Sequence, residues 1–156
     1  MRNETYFLRY AYPCLFVIKQ RGEIDDALME KLRLAAAKDE PVDRALLEKV
    51  FFRAFKRMKK VADEMKKSVW DVEVIKDYFL GRHNMIIDAG LETYEKAPET
   101  LKKLCRVREG KIVALKKGAL VVDLNGERRP VNSDFVPDAK VGDRVTVHYG
   151  YAVEKL

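Results

Sequence analysis

Apolar residues recur at helical spacing through the first two thirds of the chain and then switch to alternation. Residues 4–20 place Phe7, Tyr10, Ala11, Cys14, Leu15 and Ile18 on one face. Pro13 falls inside that run, where its missing N–H predicts a kink or a fresh helix start. Gly22 closes the segment. A second helix over 23–37 opens on Glu23, Asp25 and Asp26, acids that suit a helix N-terminus, and turns Ile24, Leu28, Leu32 and Ala35 inward. Lys38-Asp39-Glu40-Pro41 breaks the pattern, and Asp43 is the expected N-cap of the next helix. Residues 44–67 form the clearest helix, with Leu47, Val50, Phe51, Ala54, Phe55, Met58, Val61, Ala62 and Met65 on one side. Ser68-Val69-Trp70-Asp71 reads as a capping box opening a helix through Ile75, Tyr78 and Phe79 that stops at Gly81. His83 is then expected in a loop or cap. Asn84–Glu95 reads as a further helix, weakened by Gly90, and Pro98 starts a short helix leading to Cys105.

From Cys105 onward the period is that of strands. The expected strands are 111–116, 119–124, 127–132, 144–149 and 151–154. Lys117-Gly118 supplies one tight turn, and Asn125-Gly126 supplies the type I′ pair whose two residues tolerate positive φ. Pro130 marks its strand as an edge or a bulge. So many short strands in about fifty residues cannot build a sandwich and should close into a small barrel, of which the OB type is one example. The resulting fold class is a two-domain α+β chain. Residues 1–96 form a helical bundle, 97–104 a linker, and 105–156 a small antiparallel OB-like β-barrel.

Composition narrows the class. A hydrophobic content of 47% supports packed cores and argues against disorder. Charged residues reach 36%, with one glutamine and four asparagines, a hyperthermophile-like balance. Two cysteines do not make a disulfide framework, and no run approaches a bilayer span or a secretory signal, so a soluble cytoplasmic protein is expected. Net charge is +6, and residues 49–67 alone account for that excess. Within them Lys49, Arg53, Lys56 and Lys60 form one basic stripe, read either as a solvated face or as a docking surface for an acidic partner or phosphate backbone.

No phosphate-binding loop, nucleophile elbow or zinc-protease motif occurs, and no catalytic constellation is visible, so the chain is not read as an enzyme. Cys14 reads as a small core residue on an apolar stripe. His83 lacks a neighbour at metal-ligand spacing and reads as structural.

The C-terminal third carries a resemblance. Cys105-Arg106-Val107-Arg108-Glu109-Gly110-Lys111-Ile112-Val113, Val121-Val122-Asp123-Leu124, Arg128-Arg129-Pro130-Val131-Asn132, Phe135-Val136-Pro137 and Val141-Gly142-Asp143-Arg144-Val145-Thr146-Val147-His148-Tyr149-Gly150-Tyr151-Ala152 are similar to the HypC/HupF hydrogenase maturation chaperones. That resemblance implies an OB-like barrel acting as a scaffold. The partners it implies are a HypD-like maturation factor and the hydrogenase large subunit precursor. The cargo it implies is a transient Fe(CN)2CO-type iron unit, and no resident cofactor is read from the sequence. It also implies that Cys105 and His148 are the residues facing that unit, a thiolate and an imidazole suited to low-spin iron. Differences accompany it, among them that the family cysteine follows the initiator methionine whereas 104 residues precede Cys105, and that Glu109 stands where the family has a proline. The expectation is an exposed Cys105 thiol close to His148. The competing reading is an OB-type nucleic-acid-binding module using Phe135, Tyr149, Tyr151 and the basic 49–67 helix. A third is an interaction adaptor without metal or nucleic acid, which needs an exposed apolar patch.

Overall fold

The computed structural model describes all residues, 1–156, and the chain divides into two compact units, Met1–His83 and Asn84–Leu156. Helices come first and a closed five-stranded barrel comes last, as the change of hydrophobic period predicts.

In the first unit, α1 (Asn3–Ala11) and α2 (Leu15–Gln20) are separated by a 3-10 turn over Tyr12–Cys14, with Pro13 at its start. Helix α3 (Asp26–Lys38) is capped by Asp25, whose carboxylate accepts from the Leu28 N–H at 2.8 Å. It ends at Asp39 with φ 54°, and the Asp39 carboxylate accepts from the Arg2 N–H and the Thr5 hydroxyl. The long helix expected over 44–67 is two helices. Asp43 caps α4 (Arg44–Val50), Phe51 leaves helical geometry at ψ 34°, and α5 (Phe52–Met65) comes next. Asp71 caps α6 (Val72–Asp77), not Ser68: Asp71 accepts from the Glu73 N–H, while the Ser68 hydroxyl takes the Trp70 N–H.

Gly81 does not end that helix. A π-helical turn over Tyr78–Arg82 carries the chain into α7 (His83–Asp88), so His83 is helical and buried rather than in a loop. Aromatic rings centre the packing. Phe7 is fully buried, and its ring lies 4.7 Å from Phe55, 5.4 Å from Phe51, 5.7 Å from Trp70 and 6.0 Å from Phe79, edge-on or tilted in each case.

The second unit begins with the rest of α7, a 3-10 turn at Glu92–Tyr94, and α8 (Glu99–Cys105), which occupies the segment expected as linker. Strands β1 (Arg108–Lys116), β2 (Ala119–Leu124), β3 (Glu127–Asn132), β4 (Arg144–His148) and β5 (Tyr151–Lys155) close in the order β1-β2-β3-β5-β4. All pairs are antiparallel except the closing one, β3 with β5, which is parallel and meets at Asn132 and Tyr151 alone. Pro130 is tolerated because β3 pairs fully only on its β2 side. Asn125 and Gly126 both take positive φ, 58° and 93°, as the type I′ reading requires. Inside lie Ile112, Leu120, Val122, Leu124, Val131, Val145, Val147 and Ala152. Gly110 sits where β1 lies close against β2: a Cβ there would come within 2.5 Å of Val122 Cγ1 and 2.6 Å of the Asp123 carbonyl oxygen.

Candidate functional site

The corner of the barrel unit where α8 ends brings together the segments holding the two residues singled out from sequence. The Tyr149 N–H donates to the Leu104 carbonyl at 2.8 Å, so the residue before Cys105 is tied to the residue after His148. Asn84 secures the next step of the chain. Its side-chain oxygen accepts from the Val107 N–H at 2.9 Å, and its amide donates to the Val107 carbonyl at 2.8 Å. The chain from α8 into β1 is thereby held by backbone and amide bonds on both sides of Cys105.

His148 ends β4. Its neighbour Val147 points into the barrel core, so alternation directs His148 outward, yet it is only 1% exposed. Thr146, on the same outer face, is fully buried. Tyr149 comes next in the left-handed region with φ 55°, a conformation uncommon for a bulky residue, and its carbonyl accepts from Arg129 at 3.4 Å.

Cys105 departs from expectation. In place of a surface thiol, the structure has a residue only 6% exposed at the last position of α8. Burial pushes its pKa up, and a hydrogen bond from Tyr94 opposes only part of that rise. At neutral pH the group is a thiol, the less nucleophilic and less ligating form. The physical reason is its place in the chain: a helix precedes it and a strand succeeds it, so the side chain packs as a small apolar group.

The basic stripe is also altered. The break at Phe51 puts Lys49 on α4 and Arg53, Lys56 and Lys60 on α5. Arg53 is taken up in a two-pronged pair with Glu23, at 2.7 and 3.0 Å, while Lys49, Lys56 and Lys60 remain exposed. Of the aromatics expected to stack bases, Phe135 is fully buried and lies flat against Tyr151, with centroids 5.2 Å apart.

The barrel also carries a charged cluster. Glu127 is met by Lys103 at 3.0 Å and by Arg108 and Arg129, each at 3.2 Å. Lys103 foremost, then Arg129 and Arg108, hold its carboxyl down to about 2. Three cations on one carboxylate leave a surplus of positive charge. The residues come from α8, β1 and β3, a spread that sequence spacing does not reveal.

No helix is long and apolar enough to cross a membrane. Comparison with known proteins bears on the barrel alone. The Hydrogenase maturation factor HypC of Cupriavidus necator is 50% identical over 36 residues, which cover 23% of this chain and 40% of that protein. The aligned stretch therefore spans well under two thirds of that relative. Residues 109–156 match the model of the HupF/HypC family, and with this identity and the closed barrel they form a HypC-like region.

Proposed function

We propose that this chain is a non-catalytic maturation scaffold of the HypC kind, in which the barrel engages a protein partner of [NiFe] hydrogenase assembly. The observation that carries the reading is the family match over 109–156, a stretch that contains His148 and the whole of β2–β5. The partners are a HypD-like maturation factor or the hydrogenase large subunit precursor, and the setting is cytoplasmic. Docking draws on Lys49, Lys56 and Lys60 for an acidic partner surface, with Arg53 contributing less because Glu23 already neutralises it.

An Fe(CN)2CO-type unit is the cargo in this proposal. His148 is its protein contact in the barrel, and at 1% exposure it too reaches the unit only when the packing over it opens. Cys105 joins as a ligand only when the end of α8 moves, because the buried thiol with its raised pKa is not offered in the closed form. The nucleic-acid alternative keeps only Tyr149 and Tyr151, both half-buried, for stacking, because Phe135 is buried.

The test is capture of a purified HypD-like protein, and separately of a hydrogenase large subunit precursor, by the tagged full chain with and without iron. Retention of either, weakened in His148→Ala and in a Lys49/Lys56/Lys60→Glu triple variant, supports the proposal. Failure of the wild-type chain to retain either protein under both conditions overturns it.

A further inference from the structure

Two departures from regular helix geometry in the first unit converge on one place. Pro13 imposes the 3-10 turn that ends in Cys14. The π-helical turn over Tyr78–Arg82 closes with the His83 N–H donating to the Tyr78 carbonyl, so the wide turn sets the position of His83. Such π turns are uncommon and concentrate at functional positions. Cys14 Sγ and a ring nitrogen of His83 lie within 4.8 Å of one another, although they stand 69 positions apart in sequence.

We propose that Cys14 and His83 form a binding site for a borderline-soft divalent transition-metal ion, of the Zn2+, Co2+ or Fe2+ class. Sulfur and imidazole ligands select such ions over Mg2+ and Ca2+, which take oxygen. Two ligands on one tetrahedral zinc sit about 3.5 Å apart, from bonds of about 2.3 Å to sulfur and about 2.0 Å to nitrogen. The two ligand atoms, within 4.8 Å of each other, are already close to that separation. The His83 ring is held by Tyr78, edge-on at 5.8 Å, and by Phe79, tilted at 5.6 Å, which restricts its rotation before any metal arrives. Cys14 is half-buried, leaving an approach for the ion.

Binding exchanges the thiol proton for the metal: Cys–SH plus M2+ gives the metal thiolate and one H+. The imidazole adds its lone pair with no change of oxidation state. Two ligands from this pair leave further coordination positions on the metal, so the site holds an exchangeable ion rather than a locked structural one. Neither residue lies in the HypC-like region, so the inference does not rest on the function proposed above.

The test is titration of the reduced full-length chain with Co2+, monitored by its thiolate-to-cobalt charge-transfer absorption, then displacement by Zn2+. The expected result is a saturable band at one equivalent, lost in Cys14→Ala and in His83→Gln, and kept in Cys105→Ala. His83 is buried, so His83→Gln is first checked for native helicity. Independently of any variant, Zn2+ should protect the Cys14 peptide of the wild-type chain from alkylation, read by mass spectrometry. Absence of the band and of protection in the wild type overturns the proposal, as does a band that survives Cys14→Ala or disappears only with Cys105→Ala.

Discussion

Leu104 accepts the Tyr149 N–H at 2.8 Å, and this bond fixes where α8 delivers Cys105. With Asn84 bracketing Val107, the backbone on either side of the thiol is anchored, and Cys105 is buried and stays protonated near neutrality. Alkylation at neutral pH should therefore modify Cys14, which is half-buried, well before Cys105. Cys105 should react fully only in denaturant. Peptide-resolved mass spectrometry over a time course checks this, and equal rates in the native chain would show that α8 opens readily.

Gly110 has no room for a side chain, since a Cβ would sit 2.5 Å from Val122 Cγ1 and 2.6 Å from the Asp123 carbonyl oxygen. The backbone oxygen cannot step aside without disturbing the β1–β2 ladder. Gly110→Ala is expected to destabilise the barrel by ~1–3 kcal/mol or more. Gly150→Ala meets nothing within 4 Å. It should stay within about 0.5 kcal/mol of wild type, as surface substitutions do. Urea unfolding of the two variants side by side makes the comparison, and similar losses would mean that the close approach of β1 and β2 is not tight in solution.

Phe7 is the ring around which the first unit packs, touching Phe51, Phe55, Trp70 and Phe79. Phe7→Ala leaves a cavity lined by four rings and should cost ~3–5 kcal/mol. Phe52 is half exposed, so Phe52→Ala should change stability far less. Thermal melts monitored by near-ultraviolet circular dichroism separate the two, because the aromatic signal reports on this cluster.

Glu127 supplies a pH dependence with a definite sign. Its carboxyl is held at about 2 in the folded chain, below an ordinary 4.5, chiefly by Lys103. A depressed folded pKa contributes stability that is full above 4.5 and is lost as pH falls toward 2. Glu127→Gln should remove this part of the acid sensitivity, so its urea midpoint should fall less steeply than wild type between those values. Parallel slopes would show that the three cations do not hold the carboxylate in solution.

Elements with a local cause were legible in the chain. Asp43 caps its helix as expected, and Asp25, read only as one of the acids at a helix start, is the cap itself, because each carboxylate reaches an N–H two or three residues on. Asn125-Gly126 turns the chain because both residues accept positive φ. Elements decided by distant packing were not. Nothing between 44 and 67 breaks a helix by propensity, yet Phe51 leaves the helix and its ring meets Phe7 edge-on. Gly81 has the residue type of a helix stop, but the π turn carries the helix through it and buries His83.

The sequence by itself determined the order of architecture, helices and then a small closed barrel, and the HypC-like character of that barrel, because period, turn residues and local motifs are properties of neighbours in the chain. Only the tertiary structure decided the state of the chemical groups. It buried Cys105, paired Arg53 with Glu23, gathered three cations on Glu127 and brought Cys14 to His83. Protonation, exposure and ligand reach depend on which distant segments pack together, and burial energy that no local pattern encodes settles that choice.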